Sequence, residues 1–502
     1  MPSALVLETK HVTKVFPGVV AVNDVDFAVK PGEVHALLGE NGAGKSTFCK
    51  VLSGVYRQTS GELLLEGKRV SFRSPHDALL AGLSMVYQER NLIPFLTGAQ
   101  NICLGRESTR YGSLIHESKT RRTAREIRDS VGAQVDLDVE VEALRPSEQQ
   151  VIEILRALFH SPRLLVLDEP TASLTHRDTV MLYEVIRNVV SQGVGVIFIS
   201  HKLEEVFKIA DRITVFRDGV RVATEDAASL DRDACIRHMT NRDIRDLYPA
   251  VNANTSDETL LDVDGVSDGE KLHDVTFSVA PGEVVGFYGL VGSGRTELAE
   301  LLFGLTEQTA GTVRLRGEEV KFRSPKRAIQ NGIFLVPEDR SRHGLFASFN
   351  LKENLTLPII SRFVNRLGLI NHRAEAAAAK TIADDGELRL VYTDIQQEVD
   401  SLSGGNKQKI LIARWLARQE DASVIILDEP TQGIDIGVKH EIYELLRRLA
   451  EEHALGVVFI SSELAEVIGI SDRVYVFKDG TIVKELQRNE IQNQEQVLEW
   501  AF

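Results

Sequence analysis

A glycine-rich stretch near the amino terminus carries residue types that bind phosphate. Residues 39–47 read GENGAGKST and match the spacing GxxxxGK[ST]. The stretch follows the apolar run Val34–Leu38 and precedes the helical run Phe48–Leu52, so the sequence predicts a strand, a loop and a helix in that order. Lys45 is expected to reach the β- and γ-phosphates of a nucleotide, and the Ser46 hydroxyl to ligate Mg²⁺. The predicted phosphate contacts are Gly39, Glu40, Asn41, Gly42, Ala43, Gly44, Lys45, Ser46 and Thr47.

Two adjacent acids supply a second part of this chemistry. Asp168 comes directly after the apolar run Leu164–Leu167, and Glu169 follows it. A carboxylate at the end of a buried strand can hold Mg²⁺, and a second one beside it can polarise the attacking water. A capping aspartate would occupy the same position, but the string LDEPT occurs twice in the chain, which favours the functional interpretation.

Three single residues complete the candidate set. His201 follows the predicted strand Val194–Ser200 and is expected to contact the γ-phosphate. Gln88 follows the run Ser84–Tyr87 and is expected to contact Mg²⁺ or the water. A histidine at the end of a strand lies at the carboxyl edge of the sheet, where ligands of α/β proteins bind, whereas Gln88 by itself carries little information. Phe16 is the candidate for stacking on adenine. For residues taken singly, a structural histidine and a core phenylalanine remain the alternatives.

The elements that must position these residues occur twice. PGEV at Pro31–Val34 returns at Pro281–Val284, which is 281 − 31 = 250 residues later. LDEPT at Leu167–Thr171 returns at Leu427–Thr431, which is 427 − 167 = 260 residues later. The growing offset indicates a small insertion in the second copy. A repeat of this length is a domain duplication, far longer than a solenoid unit.

A short polar stretch separates the two copies. Tyr248–Thr259 has neither helical nor strand periodicity and is predicted to be a linker between domains at residues 1–247 and 260–502. In each copy, β-branched runs such as Val424–Leu427 alternate with amphipathic helical segments such as Arg177–Val190. This alternation predicts two α/β domains, each with a mainly parallel sheet.

The composition excludes several classes of protein. With 58 Lys and Arg against 73 Asp and Glu, the 502-residue chain has a formal net charge of −15, which is a poor basis for nucleic-acid binding. The cysteines Cys49, Cys103 and Cys235 have no metal-binding spacing and indicate a reducing compartment. No apolar run is long enough to cross a bilayer, and the amino terminus does not resemble a signal peptide. The sequence therefore predicts a soluble, cytosolic chain that reaches a membrane only through a partner.

These motifs together resemble those of ABC-type ATPases. The resemblance is carried by GENGAGKST, Gln88, LVLDEP, His201 and, in the second copy, LSGGN at Leu402–Asn406. The whole chain is similar to the fused two-domain ATP-binding subunits of bacterial monosaccharide importers, the ribose, galactose and xylose group. Three strings of the second copy are selective for that group: VPEDR at Val336–Arg340, DEPTQGID at Asp428–Asp435 and ISSELAEV at Ile460–Val467.

The resemblance implies a fold, two cofactors and a set of roles. The expected fold is two tandem ABC-type P-loop ATPase domains, each with a parallel sheet core and a helical subdomain, and the expected cofactors are ATP and Mg²⁺. The implied roles are hydrolysis for Glu169, His201 and Gln88, and metal binding for Ser46, Gln88 and Asp168. The resemblance also implies head-to-tail pairing of the domains, in which Ser403, Gly404, Gly405 and Asn406 close the nucleotide site of residues 39–47.

The second copy departs from this pattern where chemistry matters. Arg295, Glu338 and Ser462 stand where the first copy has the loop lysine, the glutamine and the histidine, although the paired acids remain. The signature segment departs in the first copy instead, where Arg145–Ser147 replaces the Ser-Gly-Gly of the second copy. Pro146 in that segment has no N–H to donate. The sequence therefore predicts one hydrolytic site and one degenerate site.

The resemblance also implies partners. Expected are integral-membrane permease subunits and an extracytoplasmic solute-binding protein that acts through them, with this chain peripheral at the cytoplasmic face of the membrane. The segment Asn91–Leu104 is the candidate docking surface because Leu92, Ile93, Phe95 and Leu96 make it apolar. Packing of these side chains in the core is the alternative.

Three other functions remain alternatives to the monosaccharide importer. They are a nucleoside importer, a soluble tandem ABC protein acting on ribosomes or DNA, and a nucleotide-binding scaffold without turnover. The soluble class usually has a long charged linker and two intact sites, whereas this linker is short with little positive charge, so no nucleic-acid partner is expected. The scaffold conflicts with the complete first site. The sequence does not name the solute, because no residue of such a subunit touches it.

Overall fold

The computed structural model of the chain contains two compact units, Met1–Ile244 and Arg245–Phe502. The structure describes residues 5–40, 42–88, 90–107, 109–110, 114–171, 174, 176–200, 202–240, 248–250, 258–290, 292–386, 388–418 and 422–501. Asn41, His201 and most of the predicted linker lie outside the described residues. No helix in the described parts of the chain is long and apolar enough to cross a bilayer.

Unit 1 contains two main sheets and eight helices within its described residues. Its strands are β1 (Leu7–Phe16), β2 (Val19–Val29), β3 (Val34–Leu38), β4 (Ser60–Leu65), β5 (Lys68–Val70), β6 (Leu83–Val86), β7 (Thr109–Arg110), β8 (Leu114–Ile115), β9 (Leu164–Asp168), β10 (Gly195–Ile199), β11 (Arg212–Arg217) and β12 (Val220–Asp226). Its helices are α1 (Lys45–Leu52), α2 (Pro75–Leu80), α3 (Gly98–Cys103), α4 (Glu117–Ser130), α5 (Pro146–Leu158), α6 (His176–Ser191), α7 (Leu203–Ile209) and α8 (Arg232–Thr240).

The larger sheet of unit 1 has the order β12-β11-β3-β10-β9-β6 and is parallel except at its β12 edge. Every residue of β3, β9 and β10 is buried, which explains why these strands are mainly apolar in the sequence. β10 lies between β3 and β9, with Ile199 opposite Asp168. The carboxyl ends of the three strands therefore meet at one edge of the sheet.

A second, antiparallel sheet with the order β2-β1-β4-β5 was not predicted from the sequence. Its inward side chains, such as Val12 and Phe27, form one core with Phe48 of α1 and Ile197 of β10. This core holds α1, and so the loop before it, against the parallel sheet.

Unit 2 repeats this architecture. Its strands are β13 (Leu261–Ser267), β14 (Val275–Val279), β15 (Val284–Gly289), β16 (Ala310–Leu315), β17 (Glu318–Val320), β18 (Ile333–Val336), β19 (Val424–Asp428), β20 (Gly456–Ile460), β21 (Arg473–Lys478) and β22 (Thr481–Gln487). Its helices are α9 (Arg295–Phe303), α10 (Pro325–Gln330), α11 (Leu351–Thr356), α12 (His372–Ala383), α13 (Gly404–Leu416), α14 (Ile436–His453), α15 (Leu464–Ile470) and α16 (Gln494–Ala501). The sheet orders are β18-β19-β20-β15-β21-β22 and β14-β13-β16-β17, which match those of unit 1.

A buried asparagine shapes the loop before α3. The Asn101 Nδ2 group donates to the carbonyl oxygens of Ile93, Leu96 and Thr97 at 3.0, 3.1 and 3.2 Å, and Asn101 Oδ1 accepts from the Ile93 N–H at 2.8 Å. These bonds hold a tight loop from which the Phe95 ring projects with 72% of its surface exposed. The sequence left two alternatives for the apolar side chains of this loop, a docking surface or packing in the core. In the structure Ile93 and Phe95 are exposed, and Leu92 and Leu96 are partly exposed.

Unit 2 has the same brace before α11. Asn354 Nδ2 donates to the carbonyl oxygens of Phe346, Phe349 and Asn350 at 3.1, 3.2 and 3.1 Å. The exposed Phe346 ring stacks on Phe349 with centroids 5.2 Å apart. Both units therefore present an apolar loop held by an asparagine.

The start of the predicted linker packs against unit 2. The Tyr248 ring stacks on Tyr443 of α14, with centroids 5.4 Å apart. A Cβ atom added to Gly469 would lie 2.3 Å from the Tyr248 ring, so a glycine is required for this approach. The compact units divide three residues before the predicted linker, between Ile244 and Arg245.

Candidate functional site

The predicted phosphate loop of unit 1 connects β3 to α1. Gly44 has φ = 96° and immediately precedes Lys45. A Cβ atom added to Gly44 would lie 2.4 Å from the Ala21 carbonyl oxygen, so only glycine fits there. Lys45 is buried, and its Nζ donates to the carbonyl oxygens of Gly39 at 2.7 Å and Glu40 at 2.9 Å. The ammonium group is thus held by two backbone carbonyl groups of its own loop.

The acid pair follows β9 at the same edge. Burial raises the pKa of Asp168 to about 6, and the neighbouring Glu169 adds to this, while Lys45 opposes it. Glu169 has φ = 47°, which is unusual for a side chain with a Cβ, and its N–H donates to the Ile199 carbonyl oxygen at 3.0 Å. Such conformations persist where the surrounding structure enforces them, often at functional sites.

Gln88 lies beside the second acid. Its Nε2 donates to Glu169 Oε2 at 3.2 Å. The structure therefore brings together Lys45, Gln88, Asp168 and Glu169, as the sequence predicts. Ser46 is exposed on the first turn of α1, next to Lys45. The role predicted for His201 stays a prediction.

Phe16 ends β1 outside the core of unit 1. Its ring is partly exposed and meets Tyr56 edge-on, with centroids 5.2 Å apart. The Lys14 ammonium lies 4.8 Å from the Phe16 centroid. This ring is available for stacking, whereas the core phenylalanine Phe48 is completely buried.

The phosphate loop of unit 2 has a similar backbone but a different cation. Gly294 has φ = 111°, and Arg295 begins α9. The buried Arg295 donates from Nη1 to the Ser461 carbonyl oxygen at 2.7 Å, and its Nη2 lies 3.6 Å from Glu429 Oε1. The guanidinium group thus pairs with the end of β20 and the second acid, whereas Lys45 bonds to its own loop.

The acids of unit 2 bond to neighbouring residues of their own unit. Burial raises the pKa of Glu429 to about 7, although the Ser462 N–H and the Arg295 cation oppose this. The Ser462 hydroxyl also donates to Glu429 Oε2 at 3.1 Å. Burial raises the pKa of Asp428 to about 6, against a hydrogen bond from Thr296. Ser462 stands at the sequence position that His201 has in the first copy. It therefore binds Glu429, the second acid of its own unit.

The signature segment of unit 2 begins helix α13. The Ser403 side chain caps this helix and accepts from the Asn406 N–H at 3.4 Å. The capped helix begins at Gly404 and takes both glycines into its first turn. Ser403 itself is exposed.

In the matching segment of unit 1, Arg145–Ser147, the glutamate Glu148 supplies a negative charge. The Arg145 N–H donates to Glu148 Oε2 at 2.9 Å, and the Arg145 guanidinium Nη2 lies 3.2 Å from Glu148 Oε1. The hydrogen bond to Arg145 lowers the pKa of Glu148. A carboxylate therefore occupies the start of α5, where Pro146 also removes one donor.

Comparison with known proteins agrees with this geometry. The ABC transporter family model matches residues 22–172 and 272–432, one segment in each unit and together more than half of the chain. The chain belongs to the ABC transporter family. It is an ATPase with two ATP-binding cassettes in tandem, which confirms the predicted fold class and enzyme class.

Curated relatives of this ABC protein match it over nearly their whole length. The ribose import ATP-binding protein RbsA of Hahella chejuensis is 41% identical over 99% of this chain and 98% of its own. The ribose import ATP-binding protein RbsA 1 of Rubrobacter xylanophilus is 44% identical over 98% of this chain and 97% of its own. A putative ribose/galactose/methyl galactoside import ATP-binding protein of Agrobacterium fabrum is 40% identical over 99% and 97%. The predicted resemblance to tandem ATP-binding subunits is confirmed.

Sequence reasoning missed one support of each ABC site. In unit 1, Glu205 of α7 accepts from the Ser200 hydroxyl at 3.2 Å and from the Thr171 hydroxyl. In unit 2, Glu466 accepts from Ser461 at 3.0 Å, with a further bond to the loop after β19. In each unit this glutamate connects the segments that follow two neighbouring strands. They are β9 and β10 in unit 1, and β19 and β20 in unit 2. Its repetition at matching places in both copies was the available signal.

Replacing Arg295 tests whether this cation stabilises the second cassette without nucleotide. Arg295→Met leaves the buried Glu429 without its cation, so we expect unit 2 to lose roughly 2–4 kcal/mol of unfolding free energy. Trp415 and Trp500 are the two tryptophans of the chain and both belong to unit 2. Urea unfolding followed by tryptophan fluorescence therefore reports on that unit.

Lys45→Met in unit 1 is the matched control for Arg295→Met. It removes the corresponding loop cation and should leave the tryptophan transition at its parent urea concentration. An unchanged transition in Arg295→Met would contradict the stabilising role.

Proposed function

We propose that this ABC protein is the ATP-hydrolysing subunit of an importer that takes up a monosaccharide such as ribose, galactose or xylose. The observation that carries the proposal is the set formed by Lys45, Gln88, Asp168 and Glu169 at one sheet edge of unit 1. The names of the relatives support the sugar as solute.

The residues of unit 1 divide the work of ATP hydrolysis. Lys45 neutralises charge on the β- and γ-phosphates. Glu169 polarises the attacking water and takes its proton, and Gln88 holds the Glu169 carboxylate from 3.2 Å away. His201 is proposed to contact the γ-phosphate, and Ser403–Asn406 to close the site from the second cassette.

The donor set of unit 1 fits Mg²⁺, which takes oxygen ligands. Ser46 and Asp168 are the proposed ligands, with Gln88 beside them. In unit 2 the equivalent Thr296 hydroxyl bonds to Asp428, so this pair of positions lies within reach of one small cation. Bound there, Mg²⁺ would neutralise phosphate charge during hydrolysis.

The two nucleotide sites are proposed to differ in turnover. Glu169→Gln removes the proton acceptor of the complete site and should lower ATP turnover at least about a hundredfold while keeping ATP bound. Glu429→Gln changes an acid already paired with Arg295 and should retain most of the turnover. Steady-state ATPase assays of both variants in the assembled transporter decide this. Equal, partial losses in the two variants would contradict the asymmetry.

Phe16 is proposed to stack on adenine. Phe16→Ala should cost about 1 kcal/mol of ATP binding, or roughly a fivefold weaker Kd, because an aromatic stacking contact is lost. The melting temperature without nucleotide should hardly change, since the ring lies outside the core. Val15→Ala is the control, because Val15 is an exposed neighbour on the same strand. A large loss of melting temperature with unchanged ATP affinity would make Phe16 a structural residue instead.

The proposed partners are permease subunits in the membrane, reached on their cytoplasmic side, and an extracytoplasmic solute-binding protein that acts through them. The loop braced by Asn101 is the proposed docking surface in unit 1, because its Phe95 ring is exposed while its backbone is fixed. The chain is then peripheral to the membrane. Its net charge of −15 supports the absence of a nucleic-acid partner.

Phe95→Asp tests this surface. The variant should bind ATP as the parent does, because Phe95 contributes nothing to the core, and should no longer co-purify with the tagged permease. Leu80→Asp, a change of another exposed apolar side chain on α2, is the control and should co-purify. Retained association of Phe95→Asp, or loss of its folding, would contradict the proposed docking surface.

Uptake assays test the importer function itself. Cells in which this chain is the ATP-binding subunit should accumulate labelled ribose, galactose or xylose, and the Glu169→Gln form should not. Uptake of labelled uridine alone would favour a nucleoside importer. Uptake that does not depend on the chain would contradict the proposal.

A further inference from the structure

The string VPEDR folds into a turn that is braced by its own aspartate. After β18 ends at Val336, Asp339 Oδ1 accepts from the N–H groups of Ser341 at 3.0 Å and Arg342 at 2.9 Å. These bonds start a single π-helical turn at Arg340–Gly344. The described residues 90–97 of unit 1 contain no helical turn at the matching place. The turn fixes where the Arg340 side chain leaves the backbone.

The Arg340 guanidinium joins two separate segments of unit 2. Its Nη1 donates to the Gly404 carbonyl oxygen at 3.4 Å, and its Nη2 donates to the Gln432 carbonyl oxygen at 3.1 Å. A Cβ atom added to Gly404 or to Gly433 would lie 3.5 Å from Nη2, so the guanidinium lies against the backbone of both glycines. Burial lowers the pKa of Arg340, but an arginine stays charged.

The two segments that Arg340 joins are the start of the signature helix and the loop after the acid pair. Gly404 is the first residue of α13, directly after the capping Ser403. Gln432 comes shortly after Glu429 and shortly before Asp435, the residue that immediately precedes α14. Gln432 Nε2 also lies 3.4 Å from Glu338 Oε1, at the position of Gln88 in unit 1.

We propose that Arg340 is a positioning residue for ATP hydrolysis. Its two hydrogen bonds keep the signature serine and the loop ending at Asp435 in one fixed arrangement. The inference rests on the proposed function, in which Ser403–Asn406 close the nucleotide site of residues 39–47. Arg90, the matching residue of unit 1, donates to Gln149 on the first turn of α5 at 3.2 Å. An arginine contact to the signature helix is therefore present in both copies.

The geometry of the two acceptors explains the need for arginine. A guanidinium group presents donors in a planar fork and can hold two carbonyl groups that lie apart, whereas an ammonium group is a compact point charge. Arg340→Lys keeps the charge and should lose the bridge. Arg340→Met removes the charge and the bridge while keeping an unbranched side chain.

The test uses the full chain assembled with its permease. For Arg340→Lys and Arg340→Met we expect kcat for ATP to fall roughly tenfold to hundredfold, because reacting groups are misplaced. The KM for ATP should stay close to the parent value, since Lys45 and its loop are untouched. Trapping of ADP with vanadate should fall in parallel with kcat, and the melting temperature should not change. Arg342→Met, an exposed arginine on the same turn, is the control and should keep the parent kcat.

The outcomes separate the positioning role from the proposed function. An unchanged kcat in Arg340→Lys, or a melting temperature that falls in step with a rising KM, would overturn the positioning role. Glu169→Gln is measured in the same assay. Persistent turnover in Glu169→Gln would overturn the proposed function, whereas loss of turnover there with unchanged Arg340 variants would overturn the Arg340 inference alone.

Discussion

Both cassettes depend on the parallel pairing of three central strands. In unit 1, β10 lies between β3 and β9, and in unit 2, β20 lies between β15 and β19. Because the strands run in the same direction, their carboxyl ends meet at one edge of the sheet. The phosphate loop, the acid pair and the segment after the middle strand (β10 or β20) begin at that edge. The strands are buried on both faces, and the residues of the site follow at their ends. A change of a few residues at that edge then alters the contacts of the site without altering the fold, and the second cassette is an example.

The cation at the start of the first helix distinguishes the two edges. Lys45 bonds to two carbonyl groups of its own loop, which a phosphate can replace as acceptor. Arg295 instead bonds to Ser461 and pairs with Glu429, and Ser462 adds a further bond to the same acid. A nucleotide entering unit 2 must compete with bonds that the folded chain already satisfies. The loop cation and the second acid of unit 2 are thus already paired within the folded chain.

The sequence predicts the parts of this structure that local patterns encode. The phosphate loop and the buried parallel strands follow from spacing and apolar runs, and the ABC resemblance follows from their combination. The antiparallel sheet was missed because its strands have no distinctive motif. The start of α13 at Gly404 does not follow from helix propensity, because glycines are poor helix formers and the Ser403 cap places them in the first turn. The direction of the Arg295 side chain depends on packing across the sheet edge, which no local pattern contains.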